Sequence, residues 1–149
     1  MYLSEQKHEK WMYLAYQLAQ KAALEDEIPV GAIIVAKNKI IGKGYNQTEL
    51  LKDITAHAEI LAITAASSHL GSKYLKDCTL YVTLEPCPMC AGALAWAQIS
   101  TVVFGATDKH RGYQKFQPNL LHPKTQVIAG VMEKECSEII ESFFKKVRK

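Results

Sequence analysis

The sequence predicts an α/β fold, because helical and strand-like segments alternate along the chain. A helix, a hairpin of two strands, a second helix, a strand, a third helix and another strand follow in that order. One helix separates the strands at 79–84 and 101–105, so we expect these strands to lie parallel, joined by a right-handed crossover. The 149 residues have the length of one ordinary domain, and we expect a single domain over residues 1–149.

The first half of the chain is expected to form a long helix, a hairpin and a second helix. Apolar residues at helical spacing predict a first helix from about residue 5 to residue 25. The run 30–36, which is rich in Val and Ile, and the short segment 40–44 predict the two strands of the hairpin. Thr55 is expected to cap a second helix that ends near Ser68. The apolar stripe of the first helix consists of Trp11, Leu14, Ala15, Leu18 and Ala22.

The second half is expected to place a short helix between the two parallel strands. Pro88 is well suited to the first position of that helix, which runs to about Ala97. A polar loop over 107–124 follows the fourth strand, and 127–129 predicts a weak fifth strand. The segment 132–147 predicts a closing helix. Its expected inward-facing residues are Ile139, Ile140, Phe143, Phe144 and Val147.

The composition is that of a globular protein outside the membrane. Hydrophobic residues make up 48% of the chain, enough for a substantial core, and charged residues make up 22%. No apolar run approaches the roughly 20 residues that span a bilayer. The polar N-terminal segment is not followed by a signal-peptide core. We therefore expect a cytoplasmic protein.

Positive charge is concentrated in two segments, although the net charge of +3 by itself identifies no partner. Each segment has a plain interpretation as a solvated surface. Together they make an acidic partner such as RNA a second hypothesis. One segment contains Lys109, Arg111 and Lys115, and the other contains Lys145, Lys146, Arg148 and Lys149.

A metal site is indicated by Cys87, Cys90 and His57. The two cysteines are three residues apart, so they are neighbours on one face of the predicted helix. His57 offers an imidazole nitrogen as a third ligand. Three protein ligands are typical of a catalytic zinc site, because a structural zinc usually has four. The remaining cysteines, Cys78 and Cys136, are expected to be inert residues in or near the core.

Glu59 supplies the group that a catalytic metal site needs besides its ligands. It lies two residues after His57, near the expected metal but outside the ligand set. A carboxylate beside an activated water can take up and pass on protons, so we expect Glu59 to be the general acid/base. A structural zinc knuckle is the alternative, but it has no use for Glu59 and would need a fourth ligand. His57-Ala58-Glu59 followed by Pro86-Cys87-Pro88-Met89-Cys90 matches the known signature of zinc-dependent nucleobase deaminases.

Further motifs extend this match over nearly the whole chain, which resembles the bacterial tRNA adenosine deaminases of the TadA type. The resemblance implies the cytidine deaminase-like fold, a three-layer sandwich with a five-stranded mixed sheet and helices on both faces. It also implies one zinc per chain, a homodimer, and conversion of adenosine to inosine at the tRNA anticodon wobble position. The motifs are Pro29-Val30-Gly31-Ala32, Thr55-Ala56-His57-Ala58-Glu59-Ile60, the segment 79–87, Cys90-Ala91-Gly92-Ala93 and Val103-Phe104-Gly105-Ala106.

The resemblance also implies substrate contacts. Asn46 would hold the target nucleoside, Asp108 would lie near the nucleotide backbone, and the backbone of Ala58 would face the base edge. Without the resemblance, Asn46 is better interpreted as a turn residue after a strand, and Asp108 has a plain interpretation as a solvated loop charge. The pocket-lining positions implied by the resemblance are Val30, Thr83 and Leu84, which are otherwise plain strand core. The expected RNA-binding residues are Lys145, Lys146, Arg148 and Lys149.

Two other functions remain open at this point. The loop 109–115 departs from the usual sequence of the family, and the Trp96-Ala97 segment is similar to guanine deaminases. A free-base deaminase such as a guanine deaminase is therefore the alternative, with the same zinc chemistry and a small substrate instead of tRNA. A non-catalytic zinc-binding module is the third hypothesis, against which Glu59 argues.

Overall fold

The computed structural model describes residues 2–116 and 120–147, and their side chains from Glu5 onward. Its helices are α1 (Tyr2–Leu24), α2 (Thr48–Leu51), α3 (Ala58–Leu70), α4 (Pro88–Ala97), α5 (Tyr113–Phe116) and α6 (Glu133–Val147). Its strands are β1 (Gly31–Ala36), β2 (Lys39–Tyr45), β3 (Cys78–Leu84), β4 (Thr101–Ala106) and β5 (Gln126–Ala129). No helix in these described ranges is long and apolar enough to cross a membrane.

The strands form one five-stranded mixed sheet in the order β2-β1-β3-β4-β5. Strand β1 runs antiparallel to both β2 and β3, whereas β3, β4 and β5 run parallel. The predicted α/β class and the parallel pairing of β3 with β4 are confirmed. Because β3, β4 and β5 share one direction, their carboxyl ends meet at one edge of the sheet, where an α/β fold usually binds its ligand.

Helices cover both faces of the sheet, so the predicted three-layer sandwich is confirmed. Alternate strand residues pack on one face against α3 and α4, with Ile34, Leu80 and Phe104 in the centre. The opposite residues pack against α1 and α6. Burial of each large apolar side chain contributes roughly 1.5–3 kcal/mol, so the two layers hold the sheet from both sides.

Helix α3 lies unusually close to β2, because glycines of the strand face alanines of the helix. A Cβ on Gly44 would overlap the backbone of Ala58 and Ala62, and a Cβ on Gly42 would overlap that of Ala62 and Ala66. These alanines are fully buried. The contact fixes the first turn of α3 against the sheet, and that turn carries the metal-site sequence.

The cap predicted for the second helix was wrong. The N-cap of α3 is His57, two residues after the predicted cap, Thr55. Thr55 instead donates a hydrogen bond from its hydroxyl to Asp53 Oδ1 at 2.7 Å, and its N–H bonds the same oxygen. This local turn uses the hydroxyl of Thr55, so Thr55 does not cap the helix, and α3 begins after His57. The short helices α2 and α5 were not predicted.

The inward-facing residues predicted for the closing helix were partly wrong. Phe144 is 38% exposed and Val147 is 60% exposed. The buried residue of α6 is Cys136, which sits against Gly105 so closely that a Cβ there would collide with its sulfur. The helix therefore docks through its first half, and its second half runs past the sheet beside the open carboxyl edge. Burial of Cys136, and of Cys78 on β3, confirms both as core residues.

Candidate metal centre and active site

His57, Cys87 and Cys90 come together at the carboxyl end of β3. His57 precedes the first turn of α3 and Cys87 precedes that of α4, while Cys90 lies within the first turn of α4. His57 Nδ1 lies 3.6 Å from Cys87 Sγ and 3.5 Å from Cys90 Sγ. With Zn–N of about 2.0–2.1 Å and Zn–S of about 2.3 Å, tetrahedral angles require N···S separations of about 3.5 Å. The three donors therefore fit one zinc ion.

The local sequence explains why two helix N-termini meet here. Strand β3 ends at Leu84, the next residues remain extended, and Pro88 occupies the beginning of α4. Neither His57 nor Cys87 uses its side chain for a capping hydrogen bond, so both donors are free. The N-terminal ends of both helices carry partial positive charge, which stabilises thiolates.

The cysteines are held in unequal protonation states. The pKa of Cys87 is lowered to about 4, chiefly by a hydrogen bond from the Cys90 thiol and further by His57, against the opposing effect of burial. The same interaction, together with burial, raises the pKa of Cys90. Cys87 is therefore a thiolate at neutral pH, and a bound metal ion would displace the thiol proton of Cys90.

Glu59 lies beside this centre in the first turn of α3, with only 4% of its surface exposed. Burial raises the pKa of its carboxyl to about 7. A group with such a pKa exchanges protons readily at neutral pH, which suits the general acid/base role expected for it.

A cleft of about 1090 Å³ opens above His57, Glu59 and Cys87. Of the substrate residues expected from the resemblance, the cleft is lined by Val30, Asn46, Ala58, Leu84 and Asp108. The structure thus brings five scattered segments of the chain to one surface.

Asn46 is the most informative of these residues. It is 6% exposed, and its side-chain Oδ1 is buried without a hydrogen-bond partner in the described part of the chain. Its backbone N–H is used, donating to Val30 O at 3.1 Å. A buried carbonyl without a partner costs about 1–3 kcal/mol, so this oxygen is a natural point of attachment for a ligand N–H or O–H.

Thr83 is the expected pocket residue that the structure does not place at the cleft. Its side chain lies within the sheet, where Oγ1 accepts a hydrogen bond from Gly31 N–H at 3.1 Å. Of the expected RNA-binding residues, Lys145 lines the cleft and Lys146 is exposed beyond it. Arg148 and Lys149 lie outside the described residues.

The structure adds residues to the cleft that sequence reasoning missed as site residues. The loop after β4 contributes Lys109, His110 and Arg111, and α6 contributes Ile140 and Phe144. The clustered charges of the loop were visible in the sequence, but nothing there showed which surface they faced. Glu85, two residues before Cys87, also reaches the cleft and is buried.

Comparison with known proteins agrees with this geometry. The MafB19-like deaminase family matches residues 6–148. The tRNA-specific adenosine deaminase of Aquifex aeolicus is 45% identical over 94% of this chain and 95% of that protein. The enzyme of the same name from Bacillus subtilis is 41% identical over 95% of this chain and 91% of that protein. The tRNA(adenine(34)) deaminase of Arabidopsis thaliana chloroplasts is 44% identical over 85% of this chain, which spans 11% of that much longer protein.

Two solved structures are similar to this chain, to different extents. A structure from studies of A-to-I editing by tRNA:A34 deaminases at the wobble position of transfer RNA is 40% identical, with a TM-score of 0.82, over 87% of this chain and 98% of that one. The guanine deaminase of Bacillus subtilis is 42% identical, with a TM-score of 0.65, but covers 67% of this chain and 64% of that one. The chain therefore belongs to the zinc-dependent MafB19-like deaminase family, among its TadA-type members.

Proposed function

We propose that this chain deaminates adenosine to inosine at the wobble position of a tRNA anticodon. The main observation behind the proposal is that three potential zinc ligands and the buried Glu59 lie together at one open cleft. The relatives that match more than 90% of both chains are tRNA-specific adenosine deaminases. The guanine deaminase covers a smaller part of the chain, so the tRNA hypothesis holds over the free-base alternative.

Hydrolysis requires a water, a proton carrier and a fixed base. His57, Cys87 and Cys90 would hold zinc, which when bound supplies an activated water at neutral pH. Glu59 takes a proton from the water as its oxygen bonds to C6 and delivers that proton to N1. Glu59 then moves the second proton from the new hydroxyl to the amino group. The C6–N bond breaks, ammonia leaves, and the C6 carbonyl of inosine remains.

The remaining cleft residues orient the nucleoside. Asn46 Oδ1 accepts a hydrogen bond from the substrate, which removes the cost of its missing partner. Val30 and Leu84 form apolar walls beside the base, and the backbone of Ala58 faces its edge. Asp108 lies at the rim, near the nucleotide backbone. Such a cleft receives a base that is splayed out of a single-stranded loop.

Contacts with the RNA outside the pocket are expected from the closing helix. Lys145 lines the cleft, and Lys146, Arg148 and Lys149 follow it along the chain. We propose that these cations bind phosphates that flank the target nucleotide, since phosphate contacts position a nucleic acid without reading its bases.

We also propose a homodimer, with α4 at the interface. Trp96 is 86% exposed, and the partly exposed Met89 lies two turns earlier on the same face of the helix. Tryptophan and methionine are enriched in protein–protein interfaces, and here both are exposed on one helix face. The whole chain would act as one deaminase domain in each protomer, and a tRNA substrate favours the cytoplasm as its place of action.

The decisive experiment compares substrates side by side. Zinc-loaded protein is incubated with an anticodon stem-loop that carries adenosine at the wobble position, the same stem-loop with guanosine there, free guanine and free cytosine. We expect inosine, detected by mass spectrometry of nucleosides, and an equal amount of ammonia from the first substrate alone. Ammonia from guanine without inosine from the stem-loop would overturn the proposal.

A further inference from the structure

We propose that Glu85 is a positioning residue that fastens the loop 107–116 to the metal-binding end of β3. The proposal rests on the proposed function only in taking this loop as a rim that the RNA contacts. Glu85 is 3% exposed, although it is a carboxylate. A buried carboxylate needs hydrogen bonds for its oxygens, and Glu85 obtains both from the loop.

Each carboxylate oxygen accepts a backbone hydrogen bond from a different end of the loop. Oε1 accepts from the N–H of Asp108 at 3.1 Å, and Oε2 accepts from the N–H of Gln114 at 3.0 Å. Hydrogen bonds to an ionised acceptor are roughly twice as strong as neutral ones. The carboxylate of Glu85 therefore holds Asp108 and Gln114, which are six residues apart in the loop, next to each other.

The backbone reinforces this attachment. Tyr113, which is buried, donates its N–H to Pro86 O at 2.9 Å. Gly112 N–H donates to Asp108 O at 3.0 Å, which closes the turn between the two anchored residues. The loop is thus joined to the Glu85-Pro86 segment by three separate hydrogen bonds.

Gly112 completes the contact from the loop side. A Cβ at this position would fall on Cδ and both oxygens of Glu85, far inside van der Waals contact. The backbone of Gly112 does not lie in the left-handed region, which among the glycines is occupied by Gly71 and Gly130. Alanine at this position would therefore have to push the Glu85 carboxylate aside, without adding backbone strain.

The attachment fixes the distance between the metal centre and the positively charged side chains of the loop, Lys109 and Arg111, at the edge of the cleft. Glu85 lies two residues before the metal ligand Cys87, and the loop that it holds presents Lys109, His110 and Arg111 to the cleft. Since both oxygens of Glu85 are occupied by backbone donors, it serves the reaction through the loop, whereas Glu59 handles the protons.

Limited trypsin digestion tests the attachment without RNA. Glu85→Gln leaves one side-chain oxygen for two N–H donors, so the loop should open more often. We expect trypsin cleavage after Lys109, Arg111 and Lys115 to become about tenfold faster or more. That factor is what the loss of one hydrogen bond to a charged group implies. Glu9→Gln, the same change on an exposed residue of α1, is the control and should leave these rates unchanged. Gly112→Ala should reproduce the effect from the loop side.

Kinetics with the stem-loop separates positioning from catalysis. In Glu85→Gln and in Gly112→Ala we expect the zinc content to stay at one equivalent per chain. KM for the stem-loop should rise about tenfold, with kcat within about threefold of the native value. The double variant should be no worse than the worse single one, because both changes break the same attachment. Native protection and native KM in folded, zinc-loaded Glu85→Gln would overturn the proposal, as would a loss of kcat with the loop still protected. Failure of the native enzyme to make inosine would instead overturn the proposed function, because the digestion needs no substrate.

Discussion

His57 and Cys87 each stand one residue before the first turn of a helix, and their donor atoms, Nδ1 and Sγ, lie 3.6 Å apart. The two residues are 30 positions apart in sequence. Each is carried by a helix packed on the same face of the sheet, so the packing of α3 and α4 sets their separation. The metal centre is thus as rigid as the layer that carries it.

The first prediction concerns zinc binding. Cys87→Ala should lose the metal, because two ligands bind zinc much more weakly than three. Cys78→Ala removes a buried thiol at the other end of β3 and serves as the control. Elemental analysis should give one equivalent of zinc per chain for the native protein and the control. Full occupancy in Cys87→Ala would remove that residue from the ligand set.

The second prediction concerns protons. The pKa of Cys90 is raised above its ordinary value, so it is protonated near pH 7, whereas Cys87 with a pKa of about 4 is already a thiolate. Zinc binding at pH 7 should therefore release at least about one proton, and its affinity should fall as the pH is lowered. Titration calorimetry in buffers of different ionisation enthalpy measures the number released. A heat that does not vary with the buffer would contradict the prediction.

The third prediction concerns Glu59. Glu59→Gln keeps the shape of the side chain but cannot carry protons, so turnover should fall about 10²–10⁴-fold or more. Zinc content and circular dichroism should be unchanged. Inosine formation under single-turnover conditions measures the effect, with Glu9→Gln as the matched control. Near-native turnover would exclude Glu59 from the mechanism.

The fourth prediction separates binding from stability at Asn46. Because its Oδ1 has no partner in the described structure, Asn46→Ala removes a group that costs stability. We expect the melting temperature to stay within a few degrees of native or to rise, as is usual when about one kcal/mol or less is changed. In contrast, kcat/KM for the stem-loop should fall roughly 10-fold or more, since the variant cannot make one hydrogen bond to the substrate. A large loss of stability with native kcat/KM would show a purely structural role.

The fifth prediction concerns the cations at the end of the chain. Replacing residues 145, 146, 148 and 149 by glutamine should weaken stem-loop binding. The slope of the logarithm of the binding constant against the logarithm of the salt concentration should become less steep, by about 0.7 for each phosphate that is no longer neutralised. Melting temperature and zinc content should barely change, because exposed charges contribute little to stability. Neutralising Lys7 and Lys10 on α1 together with Lys37 and Lys39 at the β1–β2 turn is the control. Equal effects in both variants would indicate nonspecific attraction only.

Local signals in the sequence predicted much of this structure. Pro88 marked the first residue of α4, and the metal-site residues flanked predicted helix starts. Predictions failed where a contact with another residue outweighed the local preference of a residue type. Thr55 is a good cap by residue type, but the carboxylate of Asp53 captured its hydroxyl and N–H. Phe144 and Val147 are apolar, but α6 is anchored by Cys136 over Gly105, which turns its far end toward the cleft.

The sequence by itself determined the class of fold and indicated the zinc donors and the expected acid/base. The two halves of the motif, His57 with Glu59 and Cys87 with Cys90, each consist of residue types at a short spacing that local backbone geometry fixes. Only the tertiary structure decided which scattered residues share the cleft. It placed Asn46, Asp108 and Lys145 there and kept Thr83 in the sheet. It also revealed the Glu85–Gly112 contact, which joins segments 27 positions apart. Such contacts depend on how whole layers of the fold pack. In the sequence, Glu85 beside Pro86 therefore gives no sign that the loop 107–116 will pack over it.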